Sequence, residues 1–255
     1  MRHVVRGLHR RCQHADTTDE RMRLYLSTRH IICARVVEDL RADGALEPLG
    51  AMYTHGFNIL LRRQNGRRLR FTLAHEICHT FFYEYVPELK FTPRAPDPTE
   101  ESLCDLGAAE LLMPTTTVQR EAMPLPVCIE SLSLLAARFA VSVSAMFIRL
   151  HSMGLWKCVL SEWTRTTNGN FALSRIYGGK RVPWEWADES VPCKAWDTYK
   201  PTFGNTVVQY ENNDHARYYY LARFQLRRLG NRLLSLWGSQ VEYPSTVYPL
   251  LDPTA

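Results

Sequence analysis

Apolar residues recur at helical spacing between positions 70 and 85, and no proline or glycine interrupts this segment. The apolar positions are Phe71, Ala74, Ile77, Cys78, Phe81 and Phe82. This spacing predicts a long, buried helix. The preceding run Phe57–Leu61 is strand-like, and Gln64–Gly66 is typical of a tight turn.

A second helix is predicted over residues 97–113. Asp97 suits the N-cap, Pro98 suits the first helical position, and Glu100 lies in the first turn, where a carboxylate is favourable. Pro114 then ends the helix.

A third long helix is predicted near the N-terminus. Thr17–Glu20 has the pattern of a capping box. The apolar positions that follow it at helical intervals are Ile31, Ala34, Val37 and Leu40. We therefore expect a helix up to about Ala42 that shields the layer containing the two helices predicted above.

Two helices joined by a short turn are predicted over residues 129–155, with Ser142 or Ser144 capping the second. This arrangement is typical of a helix-turn-helix. Only Ser144, Arg149 and His151 of its second helix could contact base edges. Three such residues are few for sequence-specific recognition of DNA. The pattern therefore favours packing or substrate docking over DNA recognition.

After Trp156 the pattern becomes β-rich. Residues 171–177 form one such run, and residues 217–228 and 232–237 are predicted to form a hairpin around Gly230. A smaller, mainly β or α+β domain follows from this pattern. Four tryptophans either line a ligand pocket or, more commonly, pack in an aromatic core: Trp184, Trp186, Trp196 and Trp237.

Composition limits the setting of the protein. The chain has 255 residues with 45% hydrophobic content, a net charge of +5 and seven scattered cysteines. It contains no apolar stretch approaching a membrane span, no signal-peptide core and no Cys-x-x-Cys pair. We therefore expect a cytoplasmic protein with no membrane partner. Arginine clusters at 2, 6, 10 and 11 and at 62, 63, 67, 68 and 70 either contact nucleic acid or, more commonly, face solvent.

The segment His75–His79 carries the chemistry. His75 and His79 are four residues apart and share one helix face, so both imidazoles can reach one ion. Glu76 lies about 100° round the helix, where it can reach a water molecule on that ion but is poorly placed to bind it. This is the pattern of a zinc hydrolase with Glu76 as the catalytic base. The alternative is an amphipathic helix whose histidines are polar core neighbours.

A hydrolytic zinc ion usually has a third protein ligand. Glu101 and Asp105 are one turn apart on the second helix. We predict that Glu101 binds zinc and that Asp105 accepts the free N–H of a ligand histidine. Glu110 lies off that face and is interpreted as a packing or surface residue. Alternatively, the carboxylates are only the solvated start of a helix.

Cys104 follows Glu101 by three residues and lies on the same side of the helix. A thiolate binds zinc at about 2.3 Å. The hypothesis is that Cys104 is an inhibitory fourth ligand that displaces the reactive water. The alternative is a small buried cysteine that packs between helices.

The run Arg-Phe-Thr-Leu-Ala-His-Glu-x-x-His at 70–79, followed by Glu-Ser-Leu-Cys-Asp-Leu-Gly-Ala-Ala-Glu-Leu-Leu-Met-Pro at 101–114, resembles the ImmA/IrrE family of zinc metallopeptidases. The resemblance covers residues 50–155. It implies that His75, His79 and Glu101 bind the metal and that Glu76 is the catalytic base, as the spacing also indicates. Two departures, Cys78 where many members carry glycine and Asp105 where many carry asparagine, remove no ligand.

The resemblance implies an α+β fold with three parts. These are a helical zincin-like metallopeptidase domain at 1–122, a helix-turn-helix-like segment at 123–156 and a C-terminal GAF-like sensory domain at 157–255. The implied function is a Zn²⁺-dependent endopeptidase that cleaves a helix-turn-helix transcriptional repressor in a stress, DNA-damage or phage-defence response. Single-stranded DNA is the expected activator.

Two other functions stay open at this point. One is a DNA-binding transcriptional regulator with a structural zinc site. It would need four protein ligands on the zinc ion and a recognition helix with several side chains that can contact bases. The other is a nucleic-acid sensor that signals through its C-terminal domain. Peptide cleavage also needs a hydrogen-bond donor that stabilises the tetrahedral oxyanion. The candidates are Tyr53, His55, Tyr83 and Tyr85, and the sequence does not choose among them.

Overall fold

The computed structural model describes residues 22–23, 25–27, 29, 31–48, 56–82, 97–179, 190–211, 217–238 and 241. Its elements confirm a mixed α+β fold. The chain divides into two compact units. The first comprises the residues up to Thr117 together with Phe139–Val141, and the second comprises Val118–Arg138 and Ser142–Ala255. The predicted division into three segments stays a prediction.

A three-stranded sheet belongs to the first unit. It contains β1 (Ile31–Val37), β2 (Gly44–Pro48) and β3 (Phe57–Arg62), in the order β1-β3-β2. Strand β3 pairs in parallel with β1 and antiparallel with β2. The predicted strand at 57–61 is therefore confirmed as a central core strand. Because both of its edges are already paired, it cannot also pair with substrate.

The helix predicted up to about Ala42 is wrong over residues 31–42. Ile31–Val37 is the strand β1, and residues 38–43 connect it to β2. The segment is rich in β-branched residues, which favour a strand, and its parallel pairing with β3 supplies hydrogen-bond partners for the backbone groups of both strands. The capping box at 17–20 lies outside the described residues.

The histidine-bearing helix α1 is Gly66–His79. It begins earlier than predicted, because Asn65 is its N-cap and accepts a 3.0 Å hydrogen bond from the Arg68 backbone N–H. The residues predicted as a tight turn therefore start the helix. Thr80 is the C-cap.

The second predicted helix is confirmed as α2 (Pro98–Leu112), with Asp97 as the N-cap at 2.8 Å from the Thr99 backbone nitrogen. Helix α2 packs against α1. The next helix, α3, is Thr115–Ala122. Glu110 is buried, and its carboxylate accepts hydrogen bonds from the Thr115 backbone N–H at 3.1 Å and the Thr115 hydroxyl at 2.7 Å. Its role is therefore to fix the start of α3.

The second unit contains the helix pair predicted at 129–155. These helices are α4 (Ile129–Arg138) and α5 (Val143–Ser152), with a 102° bend between them. Ser142 is the N-cap of α5 and accepts a 3.1 Å hydrogen bond from the Ala145 backbone N–H. Arg149 is only 4% exposed. Its side chain is therefore not available to contact DNA bases.

A five-stranded antiparallel sheet forms the rest of the described second unit. Its strands are β4 (Val159–Arg165), β5 (Phe171–Tyr177), β6 (Thr202–Glu211), β7 (Arg217–Leu229) and β8 (Arg232–Gly238), in the order β5-β4-β8-β7-β6. The predicted hairpin is confirmed, with Gly230 in its turn at φ 57°. Helix α6 (Ser190–Thr198) contacts β6, β7 and β8.

Trp196 and Trp237 belong to the aromatic core of the second unit, as the packing interpretation expects. Trp184 and Trp186 lie outside the described residues. The GAF-like assignment of this unit stays a prediction. Among the described residues, no single helix is long and apolar enough to cross a membrane; α4 and α5 reach that length only together, across their bend.

Candidate metal centre

Two histidines on successive turns of α1 form the middle of the site. The ring centroids of His75 and His79 lie 4.8 Å apart at 67°, and their Nε2 atoms lie 3.1 Å apart. Each side chain is 14% exposed. The spacing of four residues thus brings both imidazoles to one point, as the sequence predicts.

Carboxylates of α2 contact both imidazole rings at Nδ1, on the side away from the facing Nε2 atoms. Asp105 Oδ1 lies 2.9 Å from Nδ1 of His75, and Glu100 Oε1 lies 2.8 Å from Nδ1 of His79. A carboxylate accepts hydrogen bonds, so each neutral imidazole carries its proton on Nδ1 and presents an Nε2 lone pair. Asp105 lies where the sequence predicts. The role of Glu100 is missed, and its one sequence signal is its position next to Glu101.

Glu101 faces the two lone pairs. Its Oε2 lies 3.1 Å from His75 Nε2, and its Oε1 lies 3.5 Å from His79 Nε2. In this tautomer, four acceptor atoms converge with no hydrogen between them. Such an arrangement is repulsive unless a cation or a proton occupies it.

The donor set fits a zinc ion. Nitrogen ligands bind zinc at about 2.0–2.1 Å, which places two of them roughly 3.3 Å apart in a tetrahedron. The 3.1 Å separation of the Nε2 atoms of His75 and His79 is close to that value. These three side chains could therefore hold zinc with little rearrangement.

Cys104 adds a sulfur beside the histidines. The ligand atoms of His75, His79 and Cys104 all lie within 4.8 Å of one another. The Cys104 side chain is fully buried. Burial raises the pKa of its thiol well above the usual range, and the neighbouring Cys78 and acidic side chains add to the effect.

Glu76 lies in a buried position beside Gly44 of β2. It is 6% exposed, and burial, with a smaller contribution from Glu101, raises the pKa of its carboxyl to about 8. A Cβ at Gly44 of β2 would overlap Glu76 Oε1, and it would lie 2.7 Å from Cγ2 of Thr72. Only glycine therefore leaves room for this carboxylate beside β2. No sequence signal identifies Gly44, because it contacts Glu76 only in the folded chain.

The end of α1 after His79 is held by Arg29. Its Nε donates to Thr80 Oγ1 at 2.8 Å, and its Nη2 donates to the Thr80 carbonyl at 2.9 Å. Its guanidinium also lies 4.2 Å from the ring centroid of Phe81. A cation at a helix C-terminus is favourable. Sequence reasoning misses this residue too.

The oxyanion candidates are not placed by the structure. Tyr53, His55, Tyr83 and Tyr85 all lie outside the described residues. The choice among them therefore stays open.

Comparison with known families gives a match over the part of the chain that contains the candidate metal centre. Residues 47–151 match the family model described as Peptidase_M78, the IrrE N-terminal-like domain. The matched range contains α1 and α2, and therefore both histidines, Glu76, Glu101 and Cys104.

Comparison with solved structures supports the fold. One match is a Mycobacterium tuberculosis transcriptional regulator, with 14% identity and a TM-score of 0.52 over 93% of this chain and 74% of that chain. At this identity, the likeness shows the fold alone. No curated protein matches the chain significantly.

Proposed function

We propose that the protein is a zinc-dependent endopeptidase that cleaves a helix-turn-helix transcriptional repressor, because residues 47–151 match the family model of the Peptidase_M78, IrrE N-terminal-like domain. The observation that carries the proposal is the convergence of acceptor atoms from His75, His79 and Glu101. A binding site built only from acceptors needs a cation. Glu76, next to His75 in the chain, supplies a carboxylate that is not part of this convergence.

The reaction divides between the metal and the chain. A bound zinc ion would supply a Lewis acid that acidifies water and polarises the scissile carbonyl. His75, His79 and Glu101 would hold it. Glu76 takes a proton from the attacking water and passes it to the leaving amide nitrogen.

Two groups of residues keep this chemistry in place. Asp105 and Glu100 fix the histidine rings, so that both Nε2 lone pairs point to the same position. Gly44 lets the Glu76 carboxylate lie directly against β2. In the described sheet β2 is an edge strand. An extended substrate segment along that edge would pair with its backbone and bring a carbonyl close to the base.

The substrate and the trigger are the less direct part of the proposal. A strand-competent, apolar segment of a helix-turn-helix repressor suits an edge-strand cleft. Single-stranded DNA is proposed as the activator in a stress, DNA-damage or phage-defence response. Its support is the exposed cluster Arg62, Arg63, Arg67 and Arg68, although Asp43 and Glu38 form ion pairs with three of these four.

A sensory role for the second unit belongs to the same proposal. Its support is the antiparallel sheet in the order β5-β4-β8-β7-β6, with α6 packed against it. A GAF-like domain at 157–255 would then receive the signal that regulates the peptidase in the cytoplasm.

The test uses a helix-turn-helix repressor encoded next to this protein as the probe, because the resemblance to the ImmA/IrrE family implies that the substrate is often encoded there. The full chain, loaded with zinc, is incubated with that repressor with and without single-stranded DNA. We expect one or a few cuts with apolar flanking residues, identified by sequencing the products. Glu76→Gln should keep the metal and lose about 10²–10⁴-fold in cleavage rate. Undiminished cleavage by this variant would contradict the mechanism.

A transcriptional regulator is the second candidate, favoured by the description of the similar solved structure. The burial of Arg149 counts against DNA reading by α5. The same experiment separates the two functions. A regulator would bind the operator DNA of the repressor and leave the repressor intact, whereas a peptidase would cut it.

A further inference from the structure

We propose that Cys104 is a fourth donor of the metal centre and that its sulfur, when bound, fills the position that peptide cleavage requires. The inference rests on the proposed function, since it describes a closed form of the same centre. It assigns the buried thiol a role as the ligand that keeps the resting protein inactive.

The first argument is distance. The ligand atoms of Cys104, His75 and His79 all lie within 4.8 Å of one another. With bond lengths of about 2.3 Å to sulfur and 2.0–2.1 Å to nitrogen, a zinc ion would hold these atoms roughly 3.6 Å apart. A contraction of roughly 1 Å therefore brings the sulfur and both nitrogens within bonding distance of one ion, and a change of the Cys104 rotamer or a small shift of α2 can supply it.

The second argument is that the thiol is buried without a partner. Cys104 is 0% exposed, and no described residue forms a hydrogen bond with its sulfur. Cys128 shows the contrast in the second unit, because its buried sulfur lies 3.1 Å from the Ser131 hydroxyl. Simple packing explains the burial of Cys104. It does not explain why the sulfur lies beside two imidazole lone pairs.

The third argument is charge. The closed set would combine two neutral histidines with the Glu101 carboxylate and the Cys104 thiolate. Its two negative charges balance a divalent cation, which removes the cost of burying net charge. When sulfur binds, the thiol proton goes to solvent and a water molecule leaves the metal; no electron is transferred. Helix α2 carries both anionic donors, so its displacement along α1 would open the site.

The first measurement is spectroscopic and does not depend on activity. The full chain is loaded with Co²⁺, and its near-ultraviolet absorption is recorded. We expect a sulfur-to-cobalt charge-transfer band in the wild-type protein and its loss in Cys104→Ser. Cys78→Ser is the matched control: Cys78 is also buried and lies next to His79, but it is outside the donor group, so the band should stay.

X-ray absorption of the zinc-loaded wild-type protein gives an answer that needs no variant. We expect one sulfur neighbour at about 2.3 Å. This measurement decides the question even if a cysteine variant fails to fold. A shell containing only nitrogen and oxygen would overturn the proposal.

Cleavage of the neighbouring repressor then tests the inhibitory role. Cys104→Ser should raise the basal rate several-fold and weaken any dependence on single-stranded DNA. An unchanged rate in a folded, zinc-loaded variant would overturn the role. If the sulfur signal is present but neither protein cuts, the inhibitory role and the proposed peptidase fail together. If sulfur is absent from a protein that cuts, this inference fails alone.

Discussion

Two buried polar clusters in this molecule differ in how their hydrogen-bond donors and acceptors are matched. In the second unit, Ser235 Oγ accepts the indole N–H of Trp163 at 2.8 Å and that of Trp237 at 2.6 Å, and it lies 2.6 Å from the Ser161 hydroxyl. Every acceptor there meets a donor. In the metal centre of the first unit, imidazole nitrogens face each other and a carboxylate. With both imidazole protons on Nδ1, the acceptors there meet only acceptors.

This difference separates structure from function. A polar cluster whose donors and acceptors match stabilises the fold and needs nothing else. A cluster of acceptors alone is unfavourable as it stands, and it persists because the surrounding helices hold it. The hydrogen bonds that Asp105 and Glu100 accept from the two Nδ1 atoms increase this mismatch, because they place both imidazole protons on the side of the rings away from the cluster.

The largest expected effect is on metal binding at the acceptor cluster. Glu101→Ala should weaken zinc binding by more than about 100-fold, which exceeds the roughly 10–100-fold typical of an outer partner. The reason is that it removes a direct donor and one of the charges that attract the cation. Metal analysis after dialysis measures the effect. Wild-type zinc content in this variant would place the third ligand elsewhere and would break the comparison.

The next effect is on cleavage without loss of metal. Gly44→Ala places a methyl group against the Glu76 carboxylate, which must then move. A displacement of about 1 Å of a catalytic group can cost roughly 10²-fold in rate. We expect such a loss in repressor cleavage at normal zinc content. Gly66→Ala is the matched control, because a Cβ at Gly66 meets nothing within 4 Å.

Outer carboxylates should contribute less than direct ligands. Asp105→Ala and Glu100→Ala each remove the oxygen acceptor that orients one histidine ring. Each should weaken zinc binding by about 10–100-fold. A competition titration against a chelator measures these affinities. If either variant bound zinc as tightly as the wild type, the assignment of the histidine tautomer would be wrong at that ring.

The balanced cluster should respond in stability alone. Ser235→Ala leaves the indole N–H groups of Trp163 and Trp237 without their close acceptor, at a cost of about 1–3 kcal/mol in the free energy of unfolding. Ser161→Ala should cost less, because Ser161 accepts only one indole N–H, at 3.3 Å. Denaturant unfolding measures both variants. Loss of zinc in Ser235→Ala would show that the two clusters are not independent.

The smallest effect concerns the ion pairs that Asp43, the residue before Gly44, forms with two arginines. Asp43 accepts hydrogen bonds from Arg68 and Arg62, and the Arg68 bond is the main reason why the pKa of Asp43 is lowered. A lowered pKa stabilises the fold above the unfolded value of about 3.9, and this stabilisation is lost as the pH falls through the folded value.

Asp43→Asn tests this expectation. It should lower the free energy of unfolding by about 0.2–1 kcal/mol at neutral pH, and the difference from the wild type should vanish in acid. Denaturant unfolding at several pH values measures it. A difference that grows in acid would have the wrong sign for a carboxylate whose pKa is lowered.

Local spacing was enough to predict much of the candidate site. The facing of His75 and His79 follows from the period of one helix, and so does the side shared by Glu101, Cys104 and Asp105. Asp97 as the N-cap of α2 is local in the same sense, because a cap bonds to a backbone N–H two or three residues away. Such features depend on the chain close by and can be predicted without tertiary structure.

The first strand shows where local reasoning fails. Apolar positions from Ile31 to Val37 satisfy helical spacing, yet the segment is β1 because β3 offers it a parallel partner. The availability of that partner depends on how the whole first unit packs. Periodicity therefore cannot choose between helix and strand for this segment.

The sequence by itself determined which side chains are candidates for the chemistry of this protein and how those within one helix are spaced. Only the tertiary structure decided what those side chains meet: Glu100 behind His79, Gly44 against Glu76, Arg29 at Thr80, and the Cys104 sulfur within 4.8 Å of the histidine nitrogens. The physical reason is that each of these contacts joins two segments far apart in the chain. Their distance is set by the packing of α1 against α2 and the sheet, and no local pattern encodes it.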